Sequence, residues 1–305
     1  MAQSDDDFTP RRYRVRHRTT YTYDGDVEAC YERGFLAPRP TRTQSVVAQH
    51  LLIDPRPALL TEHVDFFGNT SHYVEIRTPH RRLEVTKTFD VDVSRPRPDL
   101  DSINRWTVAR AAAILADPVA HGLDPLWVST FRLPSALVSD AADVAAYART
   151  HVDPEMPLGD ALHALTVGIA RDFTFRRGVT SVRSTLSEVL ALRVGVCQDF
   201  SHLAIGCLRS LGLPTRYVSG YIETMPPPGR PKLEGSDASH AWASVMLPDG
   251  SWVGIDPTNR QLVDARYVVT AFGRDFRDVS PLKGIVHTDS VRSTLDVGVD
   301  VIRLT

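Results

Sequence analysis

Gly195-Val196-Cys197-Gln198-Asp199-Phe200-Ser201-His202 runs directly into the apolar segment Leu203-Ala204-Ile205-Gly206-Cys207-Leu208. Leu203, Leu208 and Leu211 recur at helical spacing, and Gly212 followed by Pro214 ends the run, which sets Cys197 at the N-terminal end of a helix. The first turn of a helix carries N–H groups without intrahelical acceptors and about half a positive charge, a setting that favours a thiolate. A cysteine there is a candidate nucleophile that still needs a base and a group to orient that base.

Both follow in one compact stretch. Asp237-Ala238-Ser239-His240-Ala241-Trp242-Ala243-Ser244-Val245-Met246-Leu247 reads as a strand, Pro248-Asp249-Gly250-Ser251 as a turn and Trp252-Val253-Gly254-Ile255-Asp256-Pro257-Thr258-Asn259 as the returning strand. The chain order is Cys197, His240, Asp256. Side chains alternate across a sheet, so His240 and Asp256 share a face only if paired numbers in this hairpin add to an even sum. A two-residue turn at Asp249-Gly250 would give 499 and turn Asp256 away; an odd loop or a bulge, with a sum such as 500, brings it to the face of His240. An odd loop or bulge is therefore expected between Met246 and Asp256.

In order along the chain, GVCQDFSH, LGLPTRYVSGY, DASHAW and GIDPTN resemble the bacterial transglutaminase-like superfamily, most closely over residues 155–265. Upstream, Leu36-Ala37-Pro38-Arg39, Asp65-Phe66-Phe67-Gly68-Asn69 and Thr78-Pro79-His80 resemble the β-rich N-terminal region that precedes this core in bacterial members. The resemblance implies an α+β fold with a papain-like, transglutaminase-like catalytic core. It also implies that Cys197, His240 and Asp256 form a catalytic triad acting on an amide of a peptide or protein substrate through a thioester. Hydrolysis, as in a cysteine amidase or protease, is the preferred outcome, because water is always at hand whereas an amine acceptor needs its own site. Protein crosslinking by transfer to an amine is the alternative, and an inactive interaction module a third. All three triad residue types being present argues against that third reading.

The 305 residues suit two modest domains. A composition 42% hydrophobic and 24% charged, with a net charge of −2, belongs to an ordinary soluble protein and leaves no electrostatic footprint for nucleic acid. No apolar run approaches a membrane span and Met1-Ala2-Gln3-Ser4-Asp5-Asp6-Asp7 is acidic, so a cytoplasmic protein without membrane partners is expected. Cys30, Cys197 and Cys207 show neither a disulfide framework nor a zinc pattern. Cys207, ten residues beyond Cys197 and about 80° around the helix, reads as core. Cys197, His202, His240 and Asp256 are ligand types without paired-ligand spacing, and no glycine-rich phosphate loop follows a strand; no metal or cofactor is expected. Asp199 and His202 read as structural support, Asp199 as a helix cap.

Residues 1–10 read as a frayed tail. Tyr13, Val15, His17, Thr19, Tyr21 and Tyr23 alternate with Arg14, Arg16 and Arg18, a strand that Tyr23-Asp24-Gly25 is expected to turn. Further strands at 45–53, 59–66, 71–78 and 82–93 suggest a small antiparallel β-sandwich over 11–95. Arg95-Pro96-Arg97-Pro98 marks the boundary to a catalytic domain over 96–305. Helices are expected near 102–116, 140–150, 158–171 and 184–193, with an irregular stretch around Pro118, Pro125 and Pro134. Met225-Pro226-Pro227-Pro228-Gly229-Arg230-Pro231 reads either as a loop at the rim of the site or as a stiff connector, and 295–302 as a closing strand.

Overall fold

A computed structural model describes residues 3–224, 235 and 237–304, so the proline loop at 225–231 lies outside the described residues. The first unit is built on β1, Arg11–Gly34, a strand of 24 residues. It is followed by β2 (Gln44–Asp54), β3 (Leu59–Val64), β4 (Thr70–Ile76) and β5 (His80–Val93). The alternation from Tyr13 to Tyr23 holds, with Tyr13 and Val15 buried and Arg12 and Arg14 outward, where they pair with Asp92 at 2.6 Å and Asp90 at 2.7 Å. The turn expected at Tyr23-Asp24-Gly25 does not form. The strand bends there instead, with a register shift against β5 between Thr22 and Val27, and runs on to Gly34.

Beyond the boundary prolines come α1 (Leu100–Asn104), α2 (Val108–Ala116), α3 (Pro125–Arg132), α4 (Ala142–Arg149), α5 (Leu158–Asp172), β6 (Thr174–Phe175), α6 (Leu186–Leu192), β7 (Val194–Gly195) and α7 (Cys197–Ser210). The helix expected over 102–116 is broken because Thr107 starts a new one, its side chain accepting from Arg110 N–H. The stretch expected to be irregular contains α3, where Asp124 caps and Pro125 takes the first turn, a position that suits its missing N–H. A second sheet follows, made of β8 (Thr215–Ile222), β9 (Ser239–Met246), β10 (Trp252–Asp256), β11 (Gln261–Leu262) and β12 (Tyr267–Gly273), in the order β11-β10-β9-β8-β12.

The chain ends in β13 (Leu282–Thr288) and β14 (Ser293–Leu304), and here the expected domain limits need correction. These two strands do not belong to the second unit. β14 pairs with β1 from Arg12 to Tyr23 and β13 pairs with it from Val27 to Gly34, completing a seven-stranded antiparallel sheet. A strand as long as β1 has two hydrogen-bonding edges; β5 and β4 satisfy one and the C-terminal strands the other. The sandwich is thus one sheet curled about β1, with Val27, Cys30, Val74, Ile76, Leu83 and Val85 enclosed between its parts. The expected frayed tail also needs correction from Gln3 onward. Gln3 Nε2 donates to Leu262 O at 2.8 Å and to Asp264 at 2.7 Å, Asp7 O accepts from Ala265 N–H at 2.9 Å, and Asp5–Phe8 form a short 3-10 turn.

The two sheets pack together. Tyr13, Val15, Phe89 and Val91 of the first meet Tyr221, Ala265 and Val268 of the second. Two side-chain amides complete the junction. Gln44 donates to Val269 O and accepts from Val269 N–H, both at 2.8 Å, while Asn69 does the same to Phe272 O and N–H, both at 2.8 Å.

The larger core is built around α7, against which Ala241, Ala243, Val245 and Ile255 of the second sheet pack and which in turn packs against α4, α5 and α6. Helix α7 is buried on all sides from Asp199 to Arg209, as a central helix should be. Its polar residues are satisfied inside: His202 Nε2 accepts from Phe276 N–H at 3.1 Å, and Arg209 donates to the carbonyls of Thr215, Leu133 and Arg274. No described helix is long and apolar enough to cross a membrane.

Candidate active site

Cys197 is the first residue of α7, and the approach to it is fixed on both sides. Helix α6 ends with Arg193 in the left-handed conformation at φ 54°, and the next two residues pair in parallel with β6, Thr174 with Val194 and Phe175 with Gly195. Asp199 then folds back across the helix start: its Oδ2 accepts from Val196 N–H at 2.8 Å and from Thr180 Oγ1 at 2.7 Å. Gly195 is required for this, since a Cβ there would lie 2.9 Å from the Asp199 side chain. Asp199 is the capping group expected of it, and the Cys197 thiol is left partly exposed at the helix terminus.

The hairpin has the even register that the site demands. Trp252 faces Met246, Val253 faces Val245, Gly254 faces Ser244 and Ile255 faces Ala243, so paired numbers add to 498 and the connecting loop holds five residues. Continued by one residue, this register sets Asp256 across from Trp242, two positions from His240 and on its face. That is two residues closer than a sum of 500 would give, and no bulge is needed. His240 Nε2 and Asp256 Oδ2 are 2.6 Å apart, with the carboxylate fully buried and the imidazole 8% exposed. Asn259 Nδ2 stands 3.4 Å from the same Nε2, so Nδ1 is the ring nitrogen left free of Asp256 and Asn259, and Cys197 acts on the charge of the ring. His202, by contrast, points to Phe276 and away from this cluster.

The Asp256 carboxylate is saturated. Oδ1 accepts from Thr258 N–H at 2.8 Å and Asn259 N–H at 3.2 Å, the Asx-type turn that the sequence Asp-Pro-Thr-Asn favours. Oδ2 accepts from His240, from Asn259 Nδ2 at 2.7 Å and from the Tyr267 hydroxyl at 2.6 Å. Burial works to raise its pKa, but the His240 charge and these donors outweigh it and the pKa is lowered. For His240 burial works against the charged ring; the charge and hydrogen bond of Asp256, followed by those of Cys197, overcome it and raise the pKa to about 10. The pairing with Asp256 thus favours the charged imidazolium over the neutral ring.

Its orientation is set by packing as well. Trp242 lies nearly parallel to it with ring centroids 6.1 Å apart, and Tyr267 borders both rings, 6.0 Å from His240 and 5.1 Å from Trp242. Gly220 faces His240 across the β8–β9 ladder. A Cβ on Gly220 would stand 2.0 Å from Val268 O and 2.8 Å from Trp242, so only glycine allows β8 and β12 to close behind the imidazole.

Two members of this arrangement were not singled out from the sequence. Asn259 stands in a quoted motif and could have been found from its place three residues after Asp256. Tyr267 carries no such signal, because it reaches Asp256 only through the pairing of β12 with β8.

The bacterial transglutaminase-like N-terminal region matches residues 13–92, and the transglutaminase-like superfamily matches residues 145–257. An uncharacterized protein of Mycobacterium tuberculosis is 45% identical over 302 residues, spanning 95% of this chain and 92% of its own length. A crystal structure from Cytophaga hutchinsonii, described as that of a candidate cysteine protease, superposes with a TM-score of 0.73 at 19% identity, covering 95% of this chain and 91% of that one. A protein-glutamine gamma-glutamyltransferase of Pseudomonas aeruginosa is 28% identical over 87 residues, 28% of this chain and 13% of that protein.

Proposed function

The chain belongs to the transglutaminase-like superfamily, and from that membership we propose that it is a cysteine-nucleophile enzyme that hydrolyses an amide bond of a peptide or protein substrate. The observation that carries this reading is the pairing of His240 with a buried and saturated Asp256 at 2.6 Å, with Cys197 at a helix start acting on the charge of the same ring.

In the proposed reaction Cys197 Sγ, its proton held on His240 Nδ1, attacks the amide carbon. The carbonyl π pair moves to oxygen, where the N–H of Cys197 in the open first turn of α7 stabilises it. As the tetrahedral species collapses, the C–N bond breaks and His240 Nδ1 hands its proton to the leaving amine, giving a thioester. The contribution of Cys197 to the high pKa of His240 disappears once the sulfur is acylated, which makes the imidazolium a stronger acid when it must donate. Water then gives a proton to Nδ1 and attacks the thioester; the C–S bond breaks and the starting ion pair returns. Asp256 holds the ring with Nδ1 toward sulfur and stabilises its charged form, and Tyr267 and Asn259 hold Asp256.

A second reading, transfer of the acyl group to an amine, is supported by the stretch of similarity to the Pseudomonas glutamyltransferase. A cytoplasmic setting, in which thiols stay reduced, fits three free cysteines. The deciding experiment incubates the protein with glutamine-containing peptides and a primary amine and reads the products by mass spectrometry. Deamidation or cleavage that is lost in Cys197→Ala supports hydrolysis, efficient amine incorporation replaces it with transfer, and activity surviving Cys197→Ala refutes both.

A further inference from the structure

A cavity of about 310 Å³ lies away from Cys197, on the face of the second sheet that carries His240 and Asp256 but toward the other end of its strands. Arg216 faces Ser244 there, four residues along β9 from His240, or about 13 Å at ~3.3 Å per residue. The cavity is roofed by Trp127 of α3 and by Arg39 from the first unit. At roughly 30 Å³ per water it has room for about ten water-sized groups.

Its chemistry is unusual. The Arg216 guanidinium is stacked between Trp252 and Phe272, with Cζ 4.0 and 3.7 Å from the ring centroids. Its Nε is buried without an acceptor, and no carboxylate pairs with it among the described residues. The neighbouring Arg39, with Cζ 4.6 Å from the Phe272 centroid, is committed to Asn69 Oδ1 at 2.6 Å and Phe67 O at 2.8 Å, and its charge adds to that of Arg216. The one carboxylate on the wall, Asp124, accepts from Leu126 N–H at 2.8 Å as the cap of α3. Stacking on aromatic faces offsets part of the cost of desolvating a guanidinium, but it satisfies none of the in-plane N–H groups.

We propose that this cavity is a binding site for a small organic carboxylate with a flat apolar body, whose carboxylate pairs with Arg216 while the body lies among the aromatic side chains. A planar N–H fork suits the two oxygens of a carboxylate, and walls of Trp127, Trp252 and Phe272 suit an aromatic or similarly flat group. The site is separate from the reacting cysteine and does not depend on the reaction proposed above.

The test is calorimetric titration of the full chain with 3-phenylpropionate, with its neutral amide and with inorganic phosphate. The acid is expected to bind about tenfold or more tighter than the amide, to quench the fluorescence of the adjacent tryptophans, and to resist displacement by phosphate. In Arg216→Met the preference for acid over amide should vanish while the rate of Cys197 alkylation is unchanged. Equal binding of acid and amide, no binding of either in the millimolar range, displacement by phosphate, or a preference that survives in Arg216→Met would overturn the proposal. If Arg216→Met does not fold, the comparison of acid with amide on the unaltered chain still decides.

Discussion

Replacing Asp256 by asparagine keeps the shape of the residue and removes the charge that holds His240 protonated. The imidazole now stands at a pKa of about 10 against an ordinary 6.5, a gap of 3 to 4 pH units. At ~1.36 kcal/mol per unit this is about 5 kcal/mol, of which Cys197 supplies part. Removing one partner of a buried pair costs about 3–5 kcal/mol, so the two routes agree. Because the folded-state pKa of His240 is raised, its contribution to stability is full below about pH 6.5 and drains away as the pH climbs toward 10. Asp256 behaves oppositely, its folded pKa being lowered, so its contribution is present above about pH 4 and lost on acidification. The stability gap between the parent and Asp256→Asn should therefore be widest near pH 5–6 and close steadily toward pH 10. Urea denaturation at about pH 6, 8 and 10 measures the gap, and the NMR shift of the His240 ring proton measures its titration directly. In the variant burial dominates and His240 should titrate below 6.5, with alkylation of Cys197 slowed about a hundredfold or more. A gap that does not change with pH, or a parent His240 that titrates at or below 6.5, would refute the reasoning.

Tyr267→Phe removes one of five hydrogen bonds to Asp256 and strands the Gln261 amide that donates to the hydroxyl at 2.7 Å; it should cost about 1.5–3 kcal/mol in urea denaturation and slow Cys197 alkylation less than Asp256→Asn does. Gly220→Ala places a methyl 2.0 Å from a backbone oxygen that cannot swing aside, so a loss of about 3 kcal/mol or more is expected, with a changed fluorescence from the neighbouring Trp242. In the native protein iodoacetamide should modify Cys197 alone, because Cys30 and Cys207 are buried and burial pushes both thiol pKa values up; peptide mapping that finds Cys207 modified first would contradict this.

The parts legible in the sequence were those written in local patterns. Periodicity fixed the helix behind Cys197, and the parity of a single hairpin was enough to require an odd loop or a bulge, of which the five-residue connection is the first. Longer-range partnerships were not legible. Nothing between Leu282 and Leu304 announces that these strands belong with Arg11–Gly34, because an antiparallel edge is recognised by backbone groups that every residue carries. For the same reason Tyr23-Asp24-Gly25 resembled a turn: aspartate and glycine suit a bend within a strand as well as a reversal, and only the second partner, β13, decides between them. Tyr267 illustrates the limit at the site itself, since a tyrosine at the start of an apolar strand looks like core until β12 is laid beside β8.

The side-chain amides of Gln44 and Asn69 also bear on how the molecule avoids polymerising. Strand β12 is the last of its sheet, and its outer N–H and C=O groups at Val269 and Phe272 would otherwise form a template onto which a strand of another molecule could grow. Each amide presents one donor and one acceptor at the spacing of a peptide group, so together they imitate a neighbouring strand without offering a further one. The N-terminal unit thereby covers the outer edge of β12 at these two residues. If the chain were cut at Arg95-Pro96-Arg97-Pro98 and the parts allowed to separate, the catalytic half would expose a growing end for self-association while Cys197, His240 and Asp256 were all still in place.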